Sequence, residues 1–463
     1  MKANRVEQHI IKKNNPHWKI VDNLCFKSKN IYNYANYIIR QIFIITNLLK
    51  NGKEINQEQE DFLKWVNDNV DEYNKNKLKN LDIKQSKGRS LDKQFKPFEY
   101  FNKDNRMCNY DFIDFITKRS EPFIDLGSNS SQQTLKVLDK NWKSFFAGIK
   151  GWSKNPEKYL GRPKLPNYKH KEKGRKELIL TNVQSKIVDG YLFFSFHPLK
   201  PLNNTFKTNV TGKLMQTRFI PKGDTYVMEI VYEIDIPEQM SYNVNIIGID
   251  IGVDNLATIG NNIGLKPFII NGRPLKSMNQ FYNKEKSNNQ SVLKLKCDRN
   301  WSNKLQQLTS KRNNKITDYI HKSSKYIVDW CIENKIDTVI VGKNKNWKQE
   351  SSMSKKVNQN FVGIPHGLFI EKIKYKCENV GINFIEIEES YTSGTSFLDG
   401  EMPSKENYNK SRRKFRGLFE SNGGEFINAD LNGAYQIIKK VFPNAFVDGI
   451  EGVGLHPVRV NII

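Results

Sequence analysis

The apolar segment Ile246–Ile251 constrains the fold more than any other part of the sequence, because it carries an aspartate within a run of isoleucines. A short apolar run of this kind predicts a buried strand. A carboxylate on such a strand costs free energy unless its charge is compensated. For Asp250 two interpretations stay open: a ligand of Mg²⁺, which prefers hard oxygen donors, or an ordinary aspartate in a turn.

A second acid, Asp430, lies in the sequence Ala429-Asp430-Leu431-Asn432-Gly433-Ala434. Aspartate is common at the N-cap of a helix, and one residue can both cap a helix and bind a metal. Two-metal cleavage of phosphodiesters relies on a cluster of ligands around both ions. Asp250 on an early strand and Asp430 at a late helix start suit such a cluster if a third acid comes from between them.

The overall charge favours a nucleic acid as partner. The 463 residues include 74 Lys and Arg against 49 Asp and Glu, a formal net charge of +25. This charge is spread along the chain rather than concentrated beside an apolar helix, so a membrane partner is not expected. No apolar stretch predicts a transmembrane helix, and the first residues lack the apolar core of a signal peptide. The five cysteines form no Cys-x-x-Cys pair, which argues against disulfides and cysteine zinc sites.

Apolar spacing predicts the main elements of the N-terminal half. Residues 4–11 predict a strand, and apolar residues three and four apart predict helices over 31–49 and 130–149. The second helix carries a possible capping box at Ser130. Residues 53–105 are highly charged and only weakly patterned.

Two turn signals predict a small β-barrel in residues 186–236. Asp189-Gly190 separates two apolar runs and is a strong hairpin signal, and Gly223 marks a second hairpin. The N-terminal strand is a candidate partner in this barrel, which makes the helical region an insertion.

Residues 160–176 form a basic strip with two prolines, so the strip is expected to be extended. Phosphate binding and a solvated linker are equally compatible with its composition. The candidate nucleic-acid contacts in it are Arg162, Lys164, Tyr168, Lys169 and Lys171.

The C-terminal half predicts a mixed α/β pattern. Basic helices carrying Lys311 and Arg312 follow the Asp250 strand. After them the pattern predicts a strand at 337–341, a helix at 367–379 and a strand at 382–387. A final helix is predicted to begin at Asp430.

Together these motifs resemble the split RuvC nuclease domain of the TnpB family. These proteins are RNA-guided DNA endonucleases of insertion sequences, related to miniature type V CRISPR effectors. The matching motifs are Gly248-Ile249-Asp250-Ile251-Gly252, the Asp430 segment, Arg162-Pro163-Lys164-Leu165-Pro166-Asn167-Tyr168-Lys169, His321-Lys322, Ile364-Pro365-His366, Tyr391-Thr392-Ser393 and Gly452-Val453-Gly454-Leu455-His456-Pro457.

The resemblance implies a multidomain α+β protein: an oligonucleotide-binding-like wedge barrel with a helical recognition insertion, and an RNase H-like RuvC α/β domain. The implied boundaries are 1–22 (first wedge strand), 23–172 (recognition), 173–244 (wedge), 245–390 (RuvC), 391–427 (target-nucleic-acid-binding loop) and 428–463 (RuvC, C-terminal part). It also implies a guide RNA from the element's transcript, double-stranded target DNA, two Mg²⁺ ions and a bacterial cytoplasm.

The chain departs from this family at the third catalytic acid. Many members have a Glu after the strand that here ends in Gly342, and glycine cannot bind a metal. Three explanations stay open: a Glu from the later strand end, with Glu389 preferred over Glu388; Glu350 from a loop; or an inactive site. Asp250 and Asp430 are both retained, which favours a relocated Glu.

The second departure is a degenerate zinc ribbon. Ser396, Asp399, Glu420 and Gly423 stand where relatives often have cysteines, so no structural zinc is expected. The basic residues of this loop, including Arg412, Arg413 and Lys414, are candidates for phosphate contacts.

The leading function is an RNA-guided, Mg²⁺-dependent DNA endonuclease with Asp250, Glu389 and Asp430 as metal ligands. The alternative is a cleavage-inactive, RNA-guided DNA-binding protein that represses transcription or assists transposition. A DNA-transferring transposase is disfavoured, because no motif supplies its nucleophile.

Overall fold

The computed structural model describes residues 2–87, 96–239, 244–343, 363–415, 417–447 and 454–462. The chain divides into two units, one formed by Ala3–Ile234 and the other by Asp235–Ile463 with Met1–Lys2.

The first unit contains a four-stranded sheet and a separate hairpin. Its strands are β1 (Lys2–Ile11), β2 (Leu178–Thr181), β3 (Ser185–Val188), β4 (Tyr191–Phe194), β5 (Lys213–Lys222) and β6 (Thr225–Asp235). The sheet has the order β1-β6-β5-β2, so the N-terminal strand pairs with β6 and the helical region is an insertion, as expected. Because β1 and β2 are its edges, closure into a barrel stays a prediction.

Both hairpins are confirmed. Asp189 and Gly190 have φ of 50° and 74° between β3 and β4, the left-handed geometry of a tight hairpin turn. Gly223, with φ of 67°, joins β5 to β6.

The helices of the first unit correct two expectations. They are α1 (Trp18–Lys50), α2 (Gln57–Ser86), α3 (Tyr110–Thr117), α4 (Glu121–Leu126) and α5 (Ser128–Lys154). Sequence patterning missed α2, because it buries only Val66, Val70 and Tyr73 along 30 residues. The N-cap of α5 is Gly127, so the capping box expected at Ser130 is wrong: that side chain lies inside the first turn.

The second unit is built on a six-stranded sheet with the order β11-β10-β7-β8-β9-β14. Its strands are β7 (Ile246–Ile251), β8 (Asn255–Asn261), β9 (Phe268–Asn271), β10 (Thr338–Gly342), β11 (Asn383–Ile387) and β14 (Val458–Val460). Strand β8 is antiparallel to both of its neighbours, β7 and β9, whereas β10 runs parallel to both β7 and β11.

Within the described residues of this unit there are also four helices and a small hairpin. They are α6 (Arg273–Cys297), α7 (Asn303–Glu333), α8 (His366–Asn379), β12 (Leu418–Glu420), β13 (Phe426–Asn428) and α9 (Ala429–Val441). Ile316, Ile320 and Ile327 of α7 are buried, as their spacing predicted. None of the described helices has a segment long and apolar enough to span a bilayer.

Helix α9 packs unusually closely on β7. A Cβ atom at Gly248 would lie 2.2 Å from the carbonyl oxygen of Ala434, so only glycine permits this approach. The apolar face of α9 then covers Ile246 and Ile340 of the sheet. This packing brings the first turn of α9 to the end of β7 that carries Asp250.

Candidate active site

The carboxyl ends of three parallel strands meet at one edge of the second sheet. Val341 of β10 is in register with Ile249 of β7, and Gly342 is in register with Ile387 of β11. Asp250 therefore lies beside Gly342, and the residues that follow β11 begin at the same edge. This juxtaposition is the one expected from parallel pairing.

The carboxylate of Glu389 fills the space above Gly342. A Cβ atom at position 342 would lie 2.6 Å from Oε2 of Glu389 and 3.2 Å from its Cβ. Glu389 is partly buried, whereas the side chain of Glu388 is exposed. The structure thus places Glu389, rather than Glu388, at this edge; Glu350 lies outside the described residues.

Asp430 lies in the first turn of α9, and the helix is capped by its neighbour Asn428. The side-chain oxygen of Asn428 accepts hydrogen bonds from the backbone N–H groups of Asp430 and Leu431, both at 3.1 Å. Asp430 is therefore not the N-cap, and its carboxylate is available for other contacts. Its Oδ2 accepts a hydrogen bond of 2.7 Å from Asn255, and its Oδ1 pairs with Arg413 at 2.9 Å.

Asp250 faces the same helix at Gly433, where a Cβ atom would lie 3.1 Å from Oδ2 of the aspartate. Burial, followed by the negative charges of Asp430 and Glu389, raises the pKa of Asp250 well above its ordinary value, while Arg413 opposes the shift. Asp250 thus interacts electrostatically with both Asp430 and Glu389.

Glu389 has a perturbed pKa as well. Burial raises its pKa to about 7, and the positive charge of Lys440 works against this change. At neutral pH the carboxyl is therefore poised between its charged and neutral forms.

The backbone around Glu389 is held by residues that sequence reasoning missed. Lys440 of α9 donates hydrogen bonds to the carbonyl oxygens of Glu388 (2.7 Å) and Ser390 (3.0 Å), and Thr392 donates to that of Glu389 (2.8 Å). Lys440 and Asn255 carry no local signal of this role, because their partners lie far away in the sequence.

A metal centre is not already assembled in the described part of the chain: it contains no group of three or more His, Cys, Asp or Glu side chains placed to hold an ion. The three acids are neighbours in one pocket, and Arg413 occupies one oxygen of Asp430.

The residues at the degenerate zinc-ribbon positions belong to a polar network. Arg412 makes two bonds to Glu401, of 2.6 and 2.8 Å, and Glu401 accepts a further one from the backbone N–H of Ser396. Across the loop, the backbone N–H of Asn422 donates to the carboxylate of Asp399 at 2.9 Å. An ion pair and hydrogen bonds from backbone N–H groups to carboxylates thus connect the two halves of the loop.

The three basic candidates in this loop are all paired with acids of the chain. Arg412 binds Glu401, Arg413 binds Asp430, and Lys414 pairs with Glu420 at 2.8 Å. Their role as phosphate contacts stays a prediction, and nucleic acid would have to compete with these pairs.

The basic strip of the first unit is held extended by polar side chains of α1. Asn33 forms two hydrogen bonds with the backbone of Lys169 (2.8 and 2.9 Å), and Asn36 and Arg40 donate to the carbonyl of Pro166. Because the contacts use the backbone of the strip, its candidate side chains remain exposed: Arg162, Lys164, Tyr168, Lys169 and Lys171. The ring of Tyr168 also lies under the guanidinium of Arg40 at 4.7 Å.

The two candidates on α7 differ. Lys311 is exposed, whereas the guanidinium of Arg312 is bound to the side chain of Asn279 and donates to the carbonyl of Gly363 at 2.7 Å. Arg312 is thus held by contacts within the protein, and its role as a phosphate contact stays a prediction.

Two family models match parts of this chain. Residues 229–348 match the family of probable transposases OrfB_IS605, and residues 366–437 match the Cas12f1-like TNB domain. None of the curated proteins matches the chain.

Several solved structures are similar over most of the chain. A Cas12f1 complex with single guide RNA and target DNA is 16% identical, covers 94% of this chain and 98% of that chain, and has a TM-score of 0.33. The mini-RNA-guided endonuclease CRISPR-Cas_phi3 is 9% identical, covers 98% of this chain and 94% of that chain, and has a TM-score of 0.39. The two family models confirm the predicted resemblance, and the chain is related to the TnpB proteins and the small Cas12f effectors.

Proposed function

We propose that this protein is an RNA-guided DNA endonuclease of a transposable element, which hydrolyses phosphodiester bonds at the site formed by Asp250, Glu389 and Asp430. The observation that carries the proposal is the position of the Glu389 carboxylate, which occupies the space above Gly342 beside Asp250. The family matches support the same function class.

The sheet of the second unit supports an RNase H-like, RuvC-type domain. Three antiparallel strands followed by two parallel ones place Asp250 on the first strand and Asp430 on the helix that packs across it. The sheet of the first unit, with its helical insertion, supports a wedge and recognition domain. Function is nevertheless inferred from the acids, because a fold by itself hosts many activities.

The donor set fits a hard divalent cation such as Mg²⁺. The negative charges of Asp430 and Glu389 raise the pKa of Asp250, and a bound cation would relieve this repulsion. Asp250, Glu389 and Asp430 would hold two ions. The ions, when bound, would supply activation of water and stabilisation of the leaving oxygen.

The remaining residues orient these acids. Asn255 fixes Oδ2 of Asp430, and Lys440 fixes the backbone on both sides of Glu389. Arg413 pairs with Asp430, and a bound cation or a substrate phosphate would compete for this contact. These contacts keep the acids in place when the charges around them change.

A guide RNA and double-stranded target DNA are the proposed partners. The net charge of +25 and the exposed side chains of the basic strip suit phosphate backbones. Sequence would be read by base pairing to the guide, and the protein would read duplex shape and a short flanking motif. We place this activity in the bacterial cytoplasm, and we propose that the loop of residues 391–427 folds without zinc.

Cleavage of a matched plasmid by the purified ribonucleoprotein in Mg²⁺ tests the function. The co-purifying RNA is sequenced first, because its 3′ end defines the target. Asp250→Ala should abolish cutting and leave target binding unchanged. Glu386→Ala, which removes an exposed acid of β11 paired with Lys343, is the matched control and should cut normally. Full activity of Asp250→Ala would refute the site.

The alternative function is RNA-guided binding without cleavage, as in a repressor or transposition accessory. The pairing of Asp430 with Arg413 favours it, because a cation must compete with this contact. A wild-type ribonucleoprotein that binds matched DNA but leaves it intact in Mg²⁺ and in Mn²⁺ would establish this alternative.

A further inference from the structure

A cavity of about 400 Å³ lies between α6 and α7 and belongs to neither the acidic site nor the basic strip. One wall is apolar and aromatic, with Met278, Phe281, Tyr282 and Leu308. The side chain of Phe281 is 64% exposed, which is a high value for a phenylalanine on an amphipathic helix. An exposed ring on the wall of a cavity offers a flat surface for a second flat group.

The other wall is cationic. Lys311 and Lys315 line the cavity from α7, and no acidic side chain is among the described residues that line it. Neither lysine forms an ion pair with an acid in the described ranges, unlike Lys322 and Lys325 further along the same helix. Being four residues apart, they stand about 6 Å apart along one face. Their charges are thus available to an anionic ligand.

The floor of the cavity is rigid. Arg312 lies 5.4 Å from the ring centre of Tyr282 and is fixed by Asn279 and the carbonyl of Gly363. The hydroxyl of Tyr282 shares a hydrogen bond of 3.0 Å with Thr309 of the facing helix. These contacts join the two helices beside the cavity.

We propose that this cavity binds one unpaired nucleotide of a single-stranded nucleic acid, with its base stacked on Phe281 and its phosphate between Lys311 and Lys315. The volume is within the range of about 300–1,000 Å³ typical of small-ligand sites. Stacking platforms beside cations are the general means of holding single strands without reading their sequence. The inference rests on the proposed function in so far as that function supplies a guide RNA and a displaced DNA strand as sources of the nucleotide.

The test uses the full-length protein without guide and two short oligonucleotides, one RNA and one DNA, each containing one 2-aminopurine. Stacking of this fluorescent base on Phe281 should quench it, and a photoreactive thio-base at the same place should crosslink to the peptide around Phe281. Quenching in the RNA arm, in the DNA arm or in both supports the site and identifies the source.

Matched variants separate this pocket from general binding. Phe281→Ala should remove the quenching and weaken binding roughly five- to a hundredfold, the range of one lost base stack, whereas Phe281→Trp should retain both. Lys311→Gln should weaken binding and lower the slope of log affinity against log salt by about one, because it removes one phosphate contact. Leu295→Ala and Lys296→Gln change an exposed apolar residue and an exposed cation of α6 outside the cavity, and should behave as wild type.

Equal quenching and affinity for Phe281→Ala and Leu295→Ala would overturn the inference, as would crosslinks that map only to other segments. The plasmid assay distinguishes this failure from a failure of the proposed function. Target cutting with no stacking at Phe281 refutes only the nucleotide site, and stacking at Phe281 without cutting refutes only the nuclease.

Discussion

At the scale of single residues, the central feature is the carboxylate exchange that we propose between the ends of β10 and β11. Gly342 has no side chain, and Glu389 occupies the space that a side chain there would need. Register explains this arrangement, because Gly342 pairs with Ile387 and Glu389 follows two residues later. One acid can therefore reach this place from either of two neighbouring strands.

Moving the acid back is the direct test of this exchange. Gly342→Glu alone should clash with Glu389 and lower cleavage at least tenfold, whereas Gly342→Glu combined with Glu389→Ala should regain part of the activity lost in Glu389→Ala. Plasmid cleavage rates of the three ribonucleoproteins give the comparison. Glu388→Gln, at the exposed neighbour, should keep wild-type rates; a defect as large as that of Glu389→Gln would contradict our assignment.

The raised pKa of Glu389 makes stability depend on pH in metal-free buffer. Its pKa rises from 4.5 to about 7 on folding, so the folded protein binds its proton more tightly than the unfolded chain. The contribution of this proton to the free energy of unfolding is about 3 kcal/mol at most. It is fully present below pH 4.5 and is lost as the pH rises through 7. Thermal unfolding in EDTA at pH 5 and pH 8 should show Glu389→Gln gaining stability relative to wild type at pH 8. If the difference in stability between Glu389→Gln and wild type is the same at pH 5 and at pH 8, the pKa of Glu389 is not raised by folding.

At the scale of elements, an ion pair connects two parts of the loop between β11 and α9. Arg412 binds Glu401 in a two-point contact and lowers the pKa of that carboxyl. Two parallel bonds of this kind fix orientation as well as distance. We propose that this internal connection holds the loop without a metal.

Breaking this ion pair should loosen the loop. Arg412→Ala leaves Glu401 without its cation and should raise backbone hydrogen exchange across residues 396–424. Arg412→Lys should restore the protection only partly, because the lysine ammonium cannot make the two parallel bonds of a guanidinium. Lys414→Ala, which breaks a more exposed pair with Glu420, is the control. If a chelator alone loosens the loop of the wild-type protein, a structural metal is present and our account of the loop fails.

The packing of α9 on β7 gives a second prediction at this scale. Gly248→Ala would place a methyl group 2.2 Å from the carbonyl oxygen of Ala434, and backbone atoms must move to admit it. We expect a loss of about 1–3 kcal/mol, typical of overpacking, with a fall in Tm measured by circular dichroism. Gly367→Ala in α8 meets no atom within 4 Å and should leave Tm unchanged or slightly higher. Equal Tm values for the two variants would contradict the close helix–strand approach.

At the scale of the whole molecule, the net charge of +25 makes association with nucleic acid dependent on salt. Some of the cations are not available to phosphate, because side chains such as Lys143 and Lys325 pair with acids four residues away. The exposed lysines of the basic strip differ, since α1 holds the strip by its backbone.

Replacing two lysines of the strip should therefore change the salt response. Lys164→Gln with Lys169→Gln should lower the slope of log affinity against log salt by about one per lost phosphate contact. The double variant Lys143→Gln with Lys325→Gln removes the same charge from paired sites and should keep the slope. Filter binding of single-stranded RNA between low and high salt measures both, and equal slopes would show that the strip is only a linker.

The sequence by itself determined the elements with strong periodic or turn signals. The apolar run around Asp250, the Asp189-Gly190 hairpin and the buried face of α7 all follow from local pattern. Their physical basis is local, because turn geometry and burial of one face depend on neighbouring residues. Helix α2 escaped this reasoning, since it buries too few apolar side chains to show a period.

The tertiary structure decided how the site is built. Only the register of parallel strands brought Glu389 to Gly342, and only the packing of α9 brought Asp430, Asn255 and Arg413 together. The inward direction of Arg312 was equally invisible in the sequence, where it reads as one more cation. The reason is that contacts between side chains far apart in the chain depend on how whole elements pack. Composition and spacing show which residues are present, but not which of them meet.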